Sequence, residues 1–472
     1  MDVSSASNVV IIGDGPGGYE GALVARQLGA TVTLVGSDGI GGSALLTDCV
    51  PSKTLVATAE AIAESAASGY LGVRIDGHPA EPADFGVDLA VVNTRVMELA
   101  RAQSTGIERS LVEAGVQIVH GRGRLSAPDK VTIAGDSGAV DIHADFILIA
   151  TGARPRVLPD ALPDGERILT WEQIYRLDDL PPHLIVVGSG VTGAEFASAF
   201  HALGSEVTLV SSRDQVLPGQ DTDAARVLEE VFERRGLRVR AKTRALGADR
   251  NDDTVIVTLD DGGTIEGSHV LMAVGSLPNT EDLGLEIAGV TVDDRGFIAV
   301  DRVSRTSARH IYAAGDCTGV NMLASVAAMQ GRIAMYHALG DAVSPLDASA
   351  ISSTIFTDPE IATVGLQERD LEQGEFRGEQ ILLPLRTNAR AKMHGHRDGF
   401  VKLFARKGSR IVAGGVVVAP NASELIHSIT LAVDNRLTVD QLAHAFTVYP
   451  SLSGSIAEAA RRMHATQPPS SK

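Results

Sequence analysis

The chain has 472 residues, enough for about three domains, and its 41 Lys and Arg against 59 Asp and Glu give a net charge of −18. The acidic balance argues against an electrostatic nucleic-acid binder, the two cysteines exclude a disulfide scaffold and a four-cysteine metal centre, and no apolar run approaches the ~20 residues of a membrane span. The start MDVSSASN has no basic n-region, so we expect no signal peptide and a soluble cytoplasmic enzyme.

An internal repeat organises the first half of the chain. Residues 8–37, the first repeat, align without a gap with residues 183–212, the second repeat. Each copy has a short apolar run, a glycine-rich turn, an alanine-rich helical stretch and a second apolar run. Continuous apolar runs suit strands that are buried on both faces of a parallel sheet. Both copies are therefore predicted to be βαβ units.

The glycine-rich turn of both repeats has the spacing G-x-G-x-x-G. The first glycine of this pattern makes a tight turn, the second lets a pyrophosphate approach the backbone, and the third lets helix and strand pack closely. These glycines are Gly13, Gly15 and Gly18 in the first repeat and Gly188, Gly190 and Gly193 in the second. Glycine turns also arise for structural reasons alone, but two matches between strand and helix predict two dinucleotides, a flavin and a nicotinamide.

The other predicted elements extend this α/β plan along the chain. In order they are a hairpin over 131–143 with its turn at Asp136-Ser137-Gly138, a buried strand and tight turn within 145–155, a hairpin over 254–266, buried strands within 269–280 and 310–319, a helix over 323–338, strands over 401–404 and 411–418, and helices over 421–436 and 453–463. The tail after these helices is rich in Pro and Ser, and we expect it to be disordered.

One acidic residue follows the buried strand within 310–319. Asp316 could accept hydrogen bonds from the hydroxyl groups of a sugar or a ribityl chain. It could equally be the N-cap of the helix predicted over 323–338, because aspartate is a favoured capping residue. Both interpretations stay open at this point.

Motifs along almost the whole chain resemble those of the pyridine nucleotide–disulfide oxidoreductase family, which includes dihydrolipoamide dehydrogenase and glutathione reductase. The resemblance covers essentially all of residues 8–463. The motifs that carry it are GDGPGG (13–18), GG-x6-CVPSK (41–53), ATG (150–152), GSGVTGAE (188–195), GSLPNT (275–280), IYAAGD (311–316), FTDPEIATVG (356–365) and NARAK (388–392).

The resemblance implies an α/β fold with two Rossmann-like dinucleotide-binding domains, each in three layers, and an α+β C-terminal dimerisation domain. The implied boundaries are an FAD-binding domain in two parts (1–152 and 276–345), an NAD(P)H-binding domain (153–275), a dimer-interface domain (346–465) and a disordered tail (466–472). It also implies a homodimer in which the C-terminal segment of the partner subunit completes the active site.

The chain departs from the family where dithiol chemistry takes place. The family motif G-G-T-C-x-x-x-x-C has two redox cysteines, and here the first is Ala44 while Cys49 remains. The family's C-terminal H-P-T-x-x-E, a proton-shuttling pair, is replaced by Tyr449 and Gly454 at its ends. A disulfide reductase needs a second thiolate to resolve a mixed disulfide and a base near the working pH. The sequence therefore predicts that disulfide reductase activity is absent.

Two residues that the family places beside the flavin are retained. Lys53 and Glu195 match the lysine and glutamate that pair near flavin N5, where a positive charge would stabilise the reduced ring. Electrons must then leave the flavin directly. An actinobacterial branch of the family described as NAD(P)H quinone reductases is most similar in residues 383–393, 325–340 and 448–456. The resemblance thus implies an FAD-dependent NAD(P)H:quinone oxidoreductase.

Cys49 allows alternatives to that function. It could tune the flavin or simply pack, which the sequence favours, because a free cysteine often behaves as a small buried hydrophobe. It could instead form a sulfenate, as in a single-cysteine NAD(P)H peroxidase or oxidase. A third alternative is a non-catalytic, redox-sensing flavoprotein, although the two intact glycine motifs argue against it. A disulfide between Cys49 and Cys317 is possible on paper, and Cys317 is assigned no role.

The adenosine-binding ends of both repeats also depart from expectation. An acid at the end of the second strand usually binds the ribose of NAD, and a nearby arginine accommodates the 2′-phosphate of NADP. In the second repeat the expected acid is Ser211 and Arg213 follows, which inclines the prediction towards NADPH, although Arg213 could be an ordinary loop residue. In the first repeat the family's acid falls on Gly36, with Asp38 as a possible substitute.

The glycine pattern and the family resemblance together give the predicted site residues. For FAD they are Gly13, Gly15, Pro16, Gly17, Gly18, Asp38, Gly41, Gly42, Ser43, Cys49, Lys53, Gly123, Thr151, Gly152, Asp316, Met322, Leu323, Ala324 and Ser325. For NAD(P)H they are Gly188, Gly190, Val191, Thr192, Gly193, Glu195, Ser211, Ser212, Arg213 and Gly275. No metal is predicted, because the 13 histidines lack ligand spacing. Glu20 is interpreted as an early-helix acid favoured by the helix dipole, and His310 and His337 as packing or surface residues.

Overall fold

The computed structural model describes residues 6–135 and 138–465. It divides into two compact units, each made of three separate stretches of chain. The first unit comprises residues 6–54, 91–156 and 275–347, and the second comprises residues 55–90, 157–274 and 348–465. Two predictions, the turn at Asp136-Ser137 and the disordered tail 466–472, fall outside the described residues.

The first unit is built on a five-stranded parallel sheet. Its strands, in spatial order, are Ile311–Ala313, Phe146–Ile149, Asn8–Ile12, Thr31–Gly36 and Gln117–His120. The two strands of the first repeat are neighbours, with Asn8 opposite Thr31, and the helix Pro16–Gln27 connects them. The first predicted βαβ unit is therefore confirmed.

Both faces of this sheet are covered, which explains why its strands are apolar throughout. Val9 and Ile11 point into one core together with residues of the helices Pro16–Gln27 and Ala324–Ala338. Val10 and Ile12 point into a second core on the opposite face. That face is covered by a three-stranded antiparallel sheet, Arg122–Ala127, Lys130–Gly135 and Gly138–His143, which contains the first predicted hairpin.

Smaller elements are distributed over both units. They are the paired strands Ala153–Pro155 and Ser276–Pro278, the helix Gly42–Leu46, the helices Cys49–Ala67 and Leu89–Glu113 that run from one unit into the other, the short strands Arg74–Ile75 and His78–Pro79, and the 3-10 helices Ser68–Leu71, Pro82–Asp84, Ile174–Arg176, Asp316–Thr318, Ala348–Ala350 and Leu385–Thr387. Among the described residues, no helix combines the length and the apolar character that crossing a membrane requires.

The second unit repeats the parallel arrangement. Its strands, in spatial order, are Ile168–Leu169, His269–Met272, His183–Val187, Glu206–Val210 and Arg238–Arg240, with the helices Val191–Leu203 and Thr222–Arg235. A three-stranded antiparallel sheet, Ala245–Asn251, Thr254–Leu259 and Thr264–Gly267, shares an apolar core with it. The second βαβ unit and the second hairpin are thus confirmed.

The C-terminal part of the second unit has a different, antiparallel architecture. Its strands are Ser352–Ile355, Glu360–Gly365, Val412–Ala419, Phe400–Arg406 and Gly378–Pro384 in spatial order, and its helices are Glu368–Glu372, Ala389–Met393, Ala422–Asp434, Val439–His444 and Gly454–Ala465. The predicted α+β character of this part is confirmed. Compactness groups it with residues 157–274, and the finer boundaries stay a prediction.

Candidate functional site

The glycine loop of the first repeat contains two sterically restricted glycines and one glycine with open space around it. Gly13 has a φ of +106° and donates its N–H to the carbonyl oxygen of Val35 at 2.8 Å. A side chain on Gly18 would bring its Cβ to 2.9 Å from the carbonyl carbon of Gly13 and closer still to the oxygen. Around Gly15, by contrast, no atom of the described residues lies within 4 Å of such a Cβ. The loop is tight at its ends and open in the middle.

The helix that follows this loop has an open N-terminus. Gly15 is its N-cap, Pro16 is its first residue, and within the described chain no side chain caps it. Uncapped N–H groups and the helix dipole make such a terminus a site for phosphate. Glu20 is the fifth residue of this helix and pairs with Arg332 at 3.3 Å, so it lies early in the helix as expected, and the contribution of the helix dipole stays a prediction.

Asp14 is a buried acid in the same loop, and the sequence analysis did not single it out. Its side chain is 7% exposed, and burial raises its pKa to about 6, with the Asp38 carboxylate adding to the rise. A Cβ on Gly36, at the end of the adjacent strand, would lie 2.9 Å from the Cβ of Asp14 and nearer to its carboxylate. Asp38 itself is exposed and accepts a hydrogen bond from Ser37 Oγ at 2.8 Å.

The loop Gly41-Gly42-Ser43 packs directly against the first glycine loop. Gly41 has a φ of +101° and donates its N–H to the carbonyl oxygen of Asp14 at 2.8 Å. A Cβ on Gly42 would lie 3.0 Å from the Cα of Gly15. Ser43 is exposed in the short helix Gly42–Leu46. These predicted residues are therefore brought together with the first loop.

Cys49 and Lys53 lie one turn apart at the start of the helix Cys49–Ala67. Residues four apart lie on the same face of a helix. Cys49 is half-buried, and Lys53 donates to Ser52 Oγ at 3.2 Å. Cys317 is completely buried with its thiol directed at the carbonyl oxygen of Ala314, and burial raises its pKa to about 11. The two cysteines are thiols, so the disulfide alternative is wrong.

Thr151 and Gly152 form a turn that is fastened to the P-N-T segment of the same unit. Thr151 Oγ1 donates to the carbonyl oxygen of Asn279 at 2.6 Å, and the N–H of Asn279 donates to the carbonyl oxygen of Gly152 at 2.9 Å. Arg154 binds Asn279 Oδ1 and forms an ion pair with Glu281. The motifs ATG and GSLPNT are thus one structural element, although they are far apart in sequence.

Asp316 lies in a 3-10 turn rather than at a helix N-terminus. The following helix, Ala324–Ala338, has Leu323 as its N-cap, so the capping alternative is wrong. Burial raises the pKa of Asp316 to about 6, and the Asp48 carboxylate adds to the rise. Of the other predicted FAD residues nearby, Met322 precedes this helix, Leu323 is its N-cap, and Ala324 and Ser325 are its first two residues. Gly123, in contrast, is buried in the antiparallel sheet, where its Cβ would contact Ile12.

The second repeat has the same loop geometry. Gly188 has a φ of +107°, a Cβ on Gly193 would lie 2.9 Å from the carbonyl carbon of Gly188, and around Gly190 the described structure offers no atom within 4 Å. Gly190 is the N-cap of the helix Val191–Leu203, and no side chain from the described part of the chain caps it. Gly275, also predicted here, is an open glycine with a φ of +96° in the first unit.

The ribose end of the second repeat contains hydroxyl groups instead of an acid. Ser211 is fully buried, and its Oγ lies 2.7 Å from Ser189 Oγ and accepts the N–H of Arg213 at 3.1 Å. Ser212 and the Arg213 side chain are exposed. Ser211 is therefore engaged inside the fold, while Arg213 faces solvent.

Glu195 is buried within the second unit. It lies on the helix Val191–Leu203 with 4% of its surface exposed, and its Oε1 accepts the N–H of Phe356 at 2.9 Å. Ser198, one turn later, accepts the N–H of Asp358. The FTDPEIATVG segment is thus attached to the helix of the second repeat, a link the sequence did not predict.

The positions that depart from the family differ greatly in exposure. Ala44 is half-buried in the helix Gly42–Leu46, and Gly454 begins the last helix. Tyr449 is 86% exposed, and Phe446 and Val448 beside it are also exposed. The short segment 446–449 thus presents three large exposed side chains near the C-terminus.

One acidic cluster in the second unit resembles a cation site. The carboxylates of Asp221, Asp223 and Glu368 converge, but the Lys402 ammonium group lies 2.8 Å from each of them. Burial alone would lower the pKa of Lys402, and the hydrogen bonds to the three carboxylates outweigh it and raise the pKa. The lysine takes the position that a cation would need.

Comparison with known proteins gives a consistent family assignment. Residues 7–331 match the family described as pyridine nucleotide-disulphide oxidoreductase, and residues 351–460 match its dimerisation domain. A Mycobacterium tuberculosis protein named NAD(P)H dehydrogenase (quinone) is 53% identical over 470 residues, covering 97% of this chain and 94% of the relative. A dihydrolipoyl dehydrogenase of Haloferax volcanii is 35% identical, covering 97% of this chain and 96% of that protein. The crystal structure of LpdA from Mycobacterium tuberculosis superposes with a TM-score of 0.92 at 52% identity, covering 97% of this chain and 100% of that one.

Proposed function

The chain belongs to the pyridine nucleotide-disulphide oxidoreductase family, and on that basis we propose that this oxidoreductase transfers electrons from NAD(P)H through FAD to a quinone and no longer reduces disulfides. The observation that carries the proposal is that both glycine loops are intact beside a dithiol motif that retains only Cys49. Ala44 has no thiol, and Tyr449 and Gly454 replace the proton-shuttling pair. A relative at 53% identity is named for quinone reduction.

The first unit fits FAD. Gly15 leaves open space at an uncapped helix N-terminus, which suits the pyrophosphate. The loop Gly41-Gly42-Ser43 packs against it, and Asp316 supplies a half-buried carboxylate that hydroxyl groups can satisfy. When bound, FAD accepts a hydride from NAD(P)H and passes two electrons to an acceptor.

In this proposal the charged residues position and stabilise. Lys53 contributes a fixed positive charge where negative charge develops during transfer, which is the most effective form of electrostatic stabilisation. The family resemblance assigns to Glu195 the role of orienting that lysine. Its carboxylate is itself held by the Phe356 N–H, so its position is fixed by the fold.

The second unit fits a nicotinamide dinucleotide, with NADPH favoured over NADH. Gly190 opens the helix N-terminus for the pyrophosphate. Ser211 provides no negative charge to repel a 2′-phosphate, and the exposed Arg213 can accommodate one. Ser211 is engaged with Ser189, so Arg213 and Ser212 are the groups that face the ligand.

Acceptor specificity tests the proposal. The purified protein should contain FAD, which denaturation releases for identification. The intact protein should oxidise NAD(P)H with a quinone as acceptor, but not with lipoamide. Turnover with lipoamide would contradict the loss of disulfide chemistry, and an inert protein with every acceptor would favour a redox-sensing flavoprotein. The same assays with NADH and NADPH report the nucleotide preference.

The role of Lys53 has a matched test. Lys53→Ala should slow flavin reduction by NAD(P)H by about tenfold or more, since it removes a charge that acts in the transition state. Lys130→Ala is the control, because Lys130 pairs with Asp141 on the antiparallel sheet of the same unit. Equal rates in both variants would remove the assigned role of Lys53.

A single-cysteine peroxidase is the second candidate. The observation that favours it is the place of Cys49 at the first residue of a helix, where a thiolate is stabilised. Hydrogen peroxide reduction that Cys49→Ala abolishes would support it. Quinone reduction that Cys49→Ala leaves unchanged would support the first candidate.

A homodimer is part of the same proposal. The match to a dimerisation domain and the exposed apolar side chains of Phe446, Val448 and Tyr449 support it. Sedimentation of the purified protein at twice the chain mass would agree. The cytoplasmic location expected from the sequence stays a prediction.

A further inference from the structure

In the first unit, side chains at positions 14 and 36 would occupy the same space. A Cβ on Gly36 would lie 2.9 Å from the Cβ of Asp14 and still closer to its carboxylate, so the two groups would overlap. An acidic side chain at position 36, where the fold usually carries one, therefore cannot coexist with the present position of Asp14. The chain has a carboxylate on the glycine loop and a bare backbone at the strand end.

The second repeat shows that this neighbourhood is a property of the fold. Its equivalent positions are Ser189, the second residue of the glycine loop, and Ser211, at the strand end. Their hydroxyl oxygens are 2.7 Å apart. A side chain on the loop thus reaches the same point as a side chain on the strand end, and either position can supply a group there.

The Asp14 carboxylate is buried, and hydrogen-bond donors from a ligand would stabilise it. It is 7% exposed, and its own backbone N–H is the hydrogen-bond donor that favours its charged form. Glycines adjoin it: a Cβ on Gly36 would meet its carboxylate, a Cβ on Gly42 would lie 3.8 Å from its Oδ1, and the neighbouring Gly15 has open space where a Cβ would be. Burying a carboxylate is costly unless donors satisfy it, and a ribose offers two neighbouring hydroxyl donors.

We propose that Asp14 supplies the carboxylate that binds the adenosine ribose of FAD, in place of the acid that the fold carries at position 36. The proposal rests on the proposed use of FAD. It takes the role away from Asp38, which is exposed and hydrogen-bonded to Ser37. In this chain the acid, Asp14, lies on the glycine loop and a glycine, Gly36, lies at the strand end. The carboxylate would nevertheless occupy the same point as an acidic side chain at position 36.

The proposal can be tested in the full-length chain by moving the acid from position 14 to position 36. Flavin is removed, and FAD is titrated back while its fluorescence is followed, for the wild type, Asp14→Gly, Asp14→Asn, Gly36→Asp and the double variant Asp14→Gly/Gly36→Asp. Asp38→Ala tests the alternative assignment of the ribose to Asp38. The same titrations use an FAD analogue built on 2′-deoxyadenosine, which lacks one ribose donor.

The expected results follow from the strength of hydrogen bonds to a charged group. Asp14→Gly should weaken FAD binding by about 10- to 100-fold and should abolish the preference for FAD over the deoxy analogue. The FAD affinity of Asp14→Asn should lie between those of the wild type and Asp14→Gly. Gly36→Asp alone should fold poorly or bind weakly because of the clash, whereas the double variant should recover most of the affinity and the preference. Asp38→Ala should bind like the wild type.

Other outcomes would overturn the proposal. Asp14→Gly and Asp14→Asn that bind FAD and discriminate the analogue as the wild type does would remove the role of Asp14. A loss confined to Asp38→Ala would assign the role to Asp38. A wild-type chain that binds no FAD would overturn the proposed function itself, which separates the two failures. Circular dichroism of each variant reports folding independently of the flavin.

Discussion

The two βαβ repeats share the geometry of their glycine loops, and they differ in the side chains where the loop meets the end of the second strand. Their tight glycines, open glycines and uncapped helix N-termini correspond position for position. At the second loop residue and the strand end, however, the first repeat has Asp14 and Gly36, and the second has Ser189 and Ser211. One pair presents a buried carboxylate and the other a closed pair of hydroxyls.

This difference separates what builds the fold from what selects the ligand. The shared glycines make the turn and the close helix packing that any dinucleotide needs. The variable pair determines the charge that the adenosine end of the ligand meets. Each repeat can therefore be perturbed in its structural part or in its ligand part, and the effects should separate.

The largest effect is expected at the packing glycines. Gly18→Ala and Gly193→Ala each force a Cβ against the carbonyl group of the first glycine of their own loop, and backbone atoms cannot move aside as a side chain can. Overpacking of this kind should lower the free energy of unfolding of the affected unit by about 3 kcal/mol. Calorimetric unfolding of the two variants measures it.

The open glycines give the matched controls. Gly15→Ala and Gly190→Ala add a Cβ to free space at an N-cap, so their unfolding should change by no more than about 0.5 kcal/mol. Equal destabilisation at Gly18 and Gly15 would show that the loop is uniformly tight, against the geometry described above.

The next effect concerns ligands rather than stability. Gly15→Ala should reduce FAD affinity by about tenfold or more, because its Cβ fills space reserved for the pyrophosphate. Gly190→Ala should raise the KM for NAD(P)H by a similar factor at unchanged flavin content. Flavin absorbance of the purified variants and their steady-state kinetics report the two effects separately. A loss of both ligands in either variant would mean that the repeats do not act separately.

The sequence was sufficient where backbone sterics decide the structure. Both repeats, both hairpins and the roles of Gly13 and Gly188 could be predicted, because positive φ and close helix packing leave few alternatives to glycine. The contact between positions 14 and 36 could not be predicted from spacing, since it joins a loop to a neighbouring strand end. An acid inside the glycine loop together with a glycine where an acid is expected was the available signal.

The sequence was misleading where a side chain had two local explanations. Asp316 looked like a helix cap, but the helix begins eight residues later, after a 3-10 turn. Asp38 was chosen for its proximity in sequence to Gly36.

The smallest effect, in pH dependence, distinguishes the two repeats by charge. The folded pKa of Asp14 is raised from 3.8 to about 6, so the native state holds this proton more tightly than the unfolded chain does. Its contribution to stability is present at low pH and is lost as pH rises from about 4 to about 6. Between about pH 5 and pH 7 the flavin-free protein should lose about 1 kcal/mol of unfolding free energy through this group, whereas Ser189 contributes no such slope.

Denaturant unfolding of the flavin-free wild type and of Asp14→Asn, compared at both pH values, isolates this contribution. Burial also raises the pKa of Glu60 to about 7 and of Asp316 to about 6, but both groups remain in the variant and cancel in the difference. The pH slopes should therefore differ by about 1 kcal/mol, with the variant flatter. Identical slopes would mean that Asp14 is already ionised in the empty fold, and its burial would then require a donor from the protein itself rather than from the ribose.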